Sequence, residues 1–249
     1  MIKIGILVVA YNAESTIEST LNRIPKNFVN SIYSILISDD KSKDLTSKKA
    51  KDFADKSSLP INLVVQPINL GYGGNQKFGY SWAIQNDWDI VVLLHADGQY
   101  APEFIPEIIK PITEDRADAV FGSRMINKKD ALKGGMPKYK WIGNQILTYL
   151  QNKLTNQSFS EWHSGYRAYR VNALREINIG KLSNGFRFDT QIILELIRVK
   201  KSITEIPIPT YYGDEVSHVN GIEYAREIIW DTVKYRIKNG VSKESRIRK

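Results

Sequence analysis

The sequence of 249 residues contains no cysteine and only three histidines. Without cysteine the chain can form no disulfide and can offer no thiolate to a metal, so a metal site must use oxygen or histidine nitrogen. The two longest apolar runs, residues 4–10 and 90–94, are far shorter than the roughly 20 residues of a membrane-spanning helix. We therefore expect a protein without disulfides that does not cross a membrane.

The ends of the chain carry two further signals. The apolar run after Lys3 continues directly into residues typical of a turn and a helix start, so we expect no secretion signal and a cytoplasmic protein. The net charge is +8, and residues 234–249 hold seven basic side chains and one acidic side chain. Such a basic tail attracts phosphate-rich surfaces, either anionic lipid or nucleic acid, and it is equally typical of a solvated chain end.

Short apolar runs alternate with segments of helical periodicity through the first half of the chain. This alternation predicts an α/β fold with a parallel sheet wrapped by helices, whose ligands bind at the carboxyl ends of the strands. After Gly122 the rhythm breaks, and we predict helices at 139–153 and 188–200 and an edge strand at 203–209. The earlier predicted strands are 2–10, 32–38, 61–66, 89–94 and 117–122, and the earlier predicted helices are 15–24, 44–56, 75–86 and 102–112.

Polar residues with ligand-binding chemistry follow two of these strands. Asp39, Asp40 and Asp44 end the second strand and could hold a ribose, a base edge or a metal, although Asp44 could equally cap the next helix. His95, Asp97 and Gln99 follow the fourth strand and can converge on one divalent ion, because side chains alternate along a strand. A turn aspartate and a structural histidine are the alternatives for that triplet.

A glycine-rich stretch, N-L-G-Y-G-G-N at residues 69–75, lies between a predicted strand and a predicted helix. Gly71 and Gly74 could let the backbone approach a diphosphate near a helix N-terminus. The stretch lacks the third glycine of a dinucleotide fingerprint, which disfavours NAD binding. A plain tight turn is the alternative.

Taken in order, these segments resemble a known family. V-A-Y-N-A-E at 9–14, D-D-K-S-K-D-L-T at 39–46, the glycine stretch and H-A-D-G-Q at 95–99 resemble the family 2 glycosyltransferases with a GT-A fold. Four later segments look like the subgroup of dolichyl- and polyprenyl-phosphate hexose synthases. They are G-S-R at 122–124, S-G-Y-R-A-Y at 164–169, G-F-R-F-D-T at 185–190 and Y-G-D-E at 212–215.

The resemblance implies an inverting transfer of a hexose from a GDP- or UDP-linked donor, with Mn²⁺ or Mg²⁺ as cofactor. It implies a GT-A catalytic domain over residues 1–218, followed by a C-terminal helix and basic tail over 219–249. The implied catalytic residues are Asp97, Arg124 and Asp189. The implied donor-site residues are Ala10, Tyr11, Asn12, Glu14, Asp39, Asp40, Gly71, Gly74 and Asp97, the metal ligands His95, Asp97 and Gln99, and the acceptor-site residues Arg124, Lys140, Ser164 and Arg167.

The chain departs from the family pattern in three places. His95 replaces the first aspartate of the metal motif, Lys41 replaces a usual glycine, and Gln191 stands where an acidic residue often follows the Phe-Asp pair. The first departure removes one negative charge from the metal site.

The acceptor is either a lipid phosphate or a saccharide. A lipid phosphate is already ionised near neutral pH and needs no general base, whereas a sugar hydroxyl needs a carboxylate such as Asp189, Glu161 or Asp214. The arginines of the acceptor half favour an anionic acceptor; they are Arg124, Arg167, Arg170 and Arg187. Acidic strand ends would repel a phosphate backbone, so we expect no nucleic acid partner.

A peripheral membrane surface is a further expected partner. The segment 224–237 carries apolar residues such as Ile229 and Trp230 beside basic ones, and it could lie in a membrane interface. The alternative is a helix that packs its apolar stripe onto the catalytic domain.

The identity of residue 95 generates a prediction about the metal. If His95 is a ligand, Mn²⁺ should be preferred over Mg²⁺, because imidazole nitrogen suits the softer ion. His95→Asp should then shift the preference toward Mg²⁺, measured as calorimetric affinity for nucleotide with each metal. An identical metal profile in the variant indicates a structural histidine.

Overall fold

The fold comes from a computed structural model that describes residues 1–211 and 220–240. Within these residues the strands are β1 (Ile4–Ala10), β2 (Ile32–Asp39), β3 (Ile61–Val65), β4 (Ile90–His95), β5 (Ala119–Ser123), β6 (Arg167–Arg170) and β7 (Ile203–Pro207). The helices are α1 (Ile17–Asn22), α2 (Thr46–Lys56), α3 (Tyr72–Gln85), α4 (Ile105–Thr113), α5 (Lys128–Lys133), α6 (Lys138–Thr155), α7 (Val171–Arg175), α8 (Phe188–Arg198) and α9 (Gly221–Asn239). The Y-G-D-E motif with Asp214, and the basic tail from residue 241, lie outside the described residues.

The strands form one sheet in the order β3-β2-β1-β4-β6-β5-β7. All neighbouring pairs are parallel except those of β6, which runs antiparallel to both β4 and β5. This confirms the predicted α/β class with a mostly parallel sheet. The predicted edge strand also forms, as β7 at the margin of the sheet beside β5.

Strand β6 was not predicted, because its sequence R-A-Y-R has no apolar run. It forms because it pairs on both sides, with Arg167 opposite Leu93 of β4 and Phe121 of β5. Since β6 is antiparallel, its first residue lies at the carboxyl ends of its two neighbours. The loop just before Arg167 therefore enters the edge of the sheet where a ligand is expected.

Helices cover both faces of the sheet and create two apolar layers. One layer joins α1 and α4 to the sheet through residues such as Ile17 and Ile108. The other joins α3 and α8 through residues such as Tyr80 and Ile192. Burial on both faces explains why the central strands β1 and β4 read as nearly continuous apolar runs.

Helix α9 packs against α6 and α8. Ile228 and Thr232 are fully buried there, whereas Trp230 and Ile237 are 55% and 76% exposed. This arrangement favours the alternative in which the C-terminal helix packs onto the catalytic domain. None of the helices within residues 1–211 and 220–240 offers an apolar stretch that could span a bilayer.

Close packing at Gly73 generates a stability prediction. A Cβ built there would lie 2.5 Å from the Ser183 carbonyl oxygen and 2.5 Å from the Phe188 Cβ, so Gly73→Ala forces backbone to move. We expect the free energy of unfolding to fall by about 1–3 kcal/mol. The matched control is Gly143→Ala in α6, where an added Cβ has no atom within 4 Å. This substitution should raise the free energy of unfolding by about 0.5–1 kcal/mol. Urea unfolding measures both, and equal effects would contradict the prediction.

Candidate active site

Hydrogen bonds join the loop after β1 to the loop after β2, and the two loops together form one wall of the candidate site. The backbone N–H of Asn12 donates to the Ser42 Oγ at 2.9 Å, and the Asn12 Oδ1 accepts from the Lys43 N–H at 2.9 Å. The Glu14 carboxylate accepts from the Leu45 N–H at 2.8 Å. Asn12 and Glu14 therefore shape this wall through contacts within the protein.

Asp39 is the buried carboxylate of this wall. Its Oδ1 accepts from the Ser42 N–H at 3.0 Å and the Ser42 hydroxyl at 2.5 Å. Its Oδ2 is buried and has no hydrogen-bond partner. A buried oxygen without a donor costs free energy of about 1–3 kcal/mol. This atom is therefore suited to accept a donor group from a ligand. Beside it, Ala10 is buried and Tyr11 is 43% exposed.

Asp40 has a different role from its neighbour. Its two carboxylate oxygens accept from the Leu70 N–H at 2.6 Å and the Gly71 N–H at 3.0 Å. Burial raises the pKa of Asp40, although these two N–H groups act in the opposite direction. The structure thus uses Asp40 to hold the glycine-rich loop, and its hydrogen bonds lie within the protein.

The glycines of that loop permit close packing. Gly71 adopts a φ of 81°, and a Cβ there would approach the Asn184 carbonyl oxygen to 2.9 Å. The same carbonyl accepts from the N–H groups of Gly73 and Gly74, at 2.7 Å and 3.2 Å. These N–H groups bind the 183–185 loop, so the structure favours packing over a diphosphate cradle as the reason for the glycines.

The three expected metal ligands at the end of β4, His95, Asp97 and Gln99, lie in different surroundings. Asp97 is exposed at the strand end, and its Oδ1 accepts from the Gln99 N–H at 3.0 Å. The His95 ring lies between the rings of Tyr72 and Tyr100, with centroids 5.7 Å and 5.4 Å away. Its Nε2 is buried without a hydrogen-bond partner, and a Cβ built on Gly165 would approach it to 3.0 Å, so residue 165 must be small.

These positions test the expected metal site. Among the described residues, no group of three His, Cys, Asp or Glu side chains could hold a metal ion. The exposed carboxylate of Asp97 fits a cation whose remaining ligands come from a bound diphosphate and water. The packing of the His95 ring against two tyrosine rings favours its structural alternative.

The part of the site that the sequence predicts to bind an acceptor contains a buried ion pair at the end of β5. The Glu161 carboxylate accepts from the Arg124 guanidinium, from the Arg124 N–H at 2.7 Å and from the Asn144 amide at 2.8 Å. The Arg124 side chain is only 10% exposed, and Glu161 is fully buried. Burial alone would raise the pKa of Glu161, but the charge and hydrogen bonds of Arg124 outweigh it and lower that pKa. Glu161 thus keeps its charge and orients Arg124.

Asp189 is the second buried carboxylate of this part of the site. Its Oδ2 accepts from the Tyr72 hydroxyl at 2.7 Å, and its Oδ1 lies 3.4 Å from the Gln76 amide nitrogen and 3.5 Å from the Arg167 guanidinium. Burial, and then the charge of Asp189, raise the pKa of Tyr72 well above its usual value, so the hydroxyl keeps its proton and donates. Tyr72 and Gln76 were not predicted, although Tyr72 stands inside the glycine stretch.

Arg167 was expected to contact the acceptor, but its side chain is 1% exposed. Its guanidinium donates to three backbone carbonyls, of Ser164, Asp189 and Trp162, at 2.9 Å, 3.0 Å and 3.2 Å. These bonds place Arg167 in the core. Two other residues expected to contact the acceptor differ in solvent exposure. Ser164 is 2% exposed, whereas Lys140, in the first turn of α6, is half-buried.

Comparison with known proteins decides the family. The sequence model of Glycosyl transferase family 2 matches residues 5–177. The chain belongs to this family. The match confirms the resemblance carried by the strand-end motifs.

This family 2 glycosyltransferase has relatives with lipid-linked acceptors in their names. A UDP-N-acetylglucosamine–dolichyl-phosphate N-acetylglucosaminyltransferase of Methanococcus voltae is 31% identical, covering 85% of this chain and 86% of its own. An undecaprenyl-phosphate mannosyltransferase of Micrococcus luteus is 27% identical over 81% of each chain. Glucosyl-3-phosphoglycerate synthase of Mycobacterium tuberculosis, solved with Mn²⁺, UDP-glucose and phosphoglyceric acid, superposes with a TM-score of 0.71 at 17% identity, covering 97% of this chain and 81% of that one. It shares the fold.

The buried ion pair generates a pH prediction. Because folding lowers the pKa of Glu161 below its ordinary value of 4.5, its stabilising contribution is present above that value and is lost as the pH falls through the lowered pKa. Glu161→Gln should lower the free energy of unfolding at pH 7 by about 3–5 kcal/mol. The difference from wild type should shrink below about pH 4.

Urea unfolding of wild type and Glu161→Gln, at pH 7 and below about pH 4, measures this difference in the free energy of unfolding. The matched control is Asp115→Asn, which removes an 84% exposed carboxylate from Arg170 and should change stability little. A Glu161→Gln effect of the same size at neutral and acidic pH would contradict the prediction.

Proposed function

We propose that this glycosyltransferase moves a hexose, with inversion, from a GDP- or UDP-linked donor to a polyprenyl phosphate. Mn²⁺ or Mg²⁺ on the donor diphosphate is part of the proposal. The names of the Methanococcus and Micrococcus relatives support the acceptor class. The Mn²⁺ and UDP-glucose bound to the mycobacterial synthase support the type of donor site.

The surroundings of the two buried carboxylates favour a phosphate acceptor over a sugar hydroxyl. A sugar hydroxyl needs a general base that can take its proton. Among the described residues, the two candidates are Glu161 and Asp189. Glu161 is fully buried, has a lowered pKa and binds Arg124 and Asn144. Asp189 accepts from Tyr72 and lies beside Arg167. The lowered pKa of Glu161 makes it a poor base, and the oxygens of Asp189 already face donors from Tyr72 and Gln76, whereas a phosphate acceptor needs no base.

The fixed charge of Arg124 supports an anionic acceptor. Arg124 directly follows β5 and therefore lies at the carboxyl edge of the sheet, where ligands of this fold class bind. Glu161 holds its guanidinium in one orientation, which reduces the entropy lost when a phosphate binds. Arg170 differs, because it pairs opposite Ile90 at the other end of β4 and binds Asp115.

Two acidic residues, Asp39 and Asp97, would bind the nucleotide-sugar donor. The Oδ2 of Asp39 would accept a hydrogen bond from the base or ribose, which removes the cost of its burial without a donor. Asp97 would hold the cation together with the donor phosphates. When bound, that cation would neutralise part of the charge on the leaving nucleoside diphosphate.

The decisive experiment offers the purified protein UDP- and GDP-linked hexoses with three acceptors: a polyprenyl phosphate, the corresponding polyprenol and an oligosaccharide. We expect product only with the phosphate and only with Mn²⁺ or Mg²⁺ present. Asp97→Ala should abolish metal-dependent nucleotide binding, measured by calorimetry. Transfer to the oligosaccharide or the polyprenol, without transfer to the phosphate, would overturn the proposed acceptor.

The role of Arg124 generates a further prediction. Arg124→Lys keeps a positive charge beside Glu161 but loses the forked guanidinium, so kcat/KM for the lipid phosphate should fall roughly 10–100-fold. Donor affinity should stay within about twofold, because Arg124 is assigned to the acceptor. Arg170→Lys, at the opposite end of the sheet, is the matched control and should keep both values. An equal loss of donor affinity would reassign Arg124 to the diphosphate.

A further inference from the structure

Helix α6 buries polar residues and exposes apolar ones. Its buried side chains are Asn144, Thr148, Gln151 and Thr155. Its exposed large apolar side chains form what we call the α6 apolar face. They are Tyr139, Ile142, Ile146, Tyr149 and Leu150, with exposed fractions of 73%, 51%, 55%, 64% and 38%. A helix on the surface of a globular protein normally has the opposite arrangement.

Hydrogen bonds fix this inverted orientation. Asn144 donates to Glu161 at 2.8 Å, and Thr148 donates to Asn144 at 3.2 Å. One turn later, the Gln151 amide lies 3.4 Å from the Thr190 hydroxyl and 3.5 Å from the Thr232 hydroxyl. Rotating the helix to bury its apolar face would leave these polar groups without partners, at a cost for each. The apolar face therefore stays outward.

The charge on α6 indicates what covers this face. The helix contains Lys138, Lys140 and Lys153 and no acidic residue. Basic residues beside an apolar stripe, with tyrosines among them, are typical of helices that lie in the interface of an anionic bilayer. A contiguous apolar patch of this kind marks an interaction surface.

We propose that the α6 apolar face binds the surface of an anionic lipid bilayer, with α6 lying parallel to it. This rests on the proposed function, because a polyprenyl phosphate is presented at such a surface. Asn144, on the opposite side of the same helix, contacts the Glu161 of the Arg124 pair. Docking through α6 would hold that pair about one helix diameter, roughly 10 Å, from the lipid headgroups.

Helix α9, which the sequence suggested for this role, is less suited to it. Its apolar residues are partly used in packing, with Ile228 fully buried. It also carries Glu223 and Glu227 among its basic residues. These carboxylates would meet anionic headgroups with like charge. Trp230 and Ile237 remain exposed, but Glu227 lies one turn before Trp230 on the same helix.

The test uses the full chain and a double variant, Ile142→Gln with Ile146→Gln, which removes apolar surface without changing charge. The matched control is Val65→Gln, because Val65 is 50% exposed on β3 at the opposite margin of the sheet. Co-sedimentation is measured with vesicles of phosphatidylcholine containing phosphatidylglycerol, and with pure phosphatidylcholine. We expect the double variant to bind the anionic vesicles at least roughly tenfold more weakly. The control should bind like wild type, and binding should fall with salt.

Two further measurements separate the possible outcomes. Transfer to a water-soluble, short-chain polyprenyl phosphate should be unchanged in the double variant, which checks that its active site is intact. Light scattering reports whether the α6 apolar face joins two copies of the chain. A wild-type dimer that the double variant converts to monomer would overturn the membrane proposal.

Vesicle binding that the double variant retains would also overturn it. A protein that binds vesicles through this face but transfers no sugar to any phosphate acceptor would support the surface and refute the proposed function.

Discussion

The guanidinium of Arg167 is the interaction on which the active-site half of this protein depends. A buried charge is tolerated only when it is paired and hydrogen-bonded. Arg167 meets this requirement with three backbone carbonyls and the carboxylate of Asp189. Those carbonyls belong to the loop before β6 and to the start of α8, so one side chain joins two segments that are distant in sequence. Asp189 extends the connection to Tyr72 and thereby to the glycine-rich loop.

A second set of buried polar contacts lies beneath helix α6. It begins at the Arg124–Glu161 pair and continues through Asn144 to Thr148, and one turn further along α6 Gln151 lies between Thr190 of α8 and Thr232 of α9. Its members need each other because a buried polar group without a partner is costly. The same contacts that orient Arg124, the proposed acceptor contact, also turn the apolar face of α6 outward. Acceptor chemistry and membrane docking would then share one structural cause.

In the half with the proposed donor site, the acidic residues have different contacts and therefore different roles. Asp40 is used inside the protein to hold the loop at residues 69–71, whereas Asp39 keeps one buried oxygen without a donor. Asp97 is exposed, and the His95 ring packs against the rings of Tyr72 and Tyr100. The protein by itself does not complete a metal site in the described residues. In the proposed function a bound diphosphate would supply the remaining ligands, which would couple cation binding to donor binding.

The sequence by itself determined the α/β class and the order of the early strands and helices, and it predicted the strand ends as the place for chemistry. It could do so because burial on both faces of a parallel sheet produces apolar runs, and because motifs at strand ends are local in sequence. It could not reveal β6, since R-A-Y-R becomes a strand only through its two neighbours. It could not separate the roles of Asp39 and Asp40, which differ only in the loop that packs against them. The outward apolar face of α6 was likewise decided by tertiary structure, because hydrogen bonds to Glu161, Thr190 and Thr232, all distant in sequence, determine which side of that helix is buried.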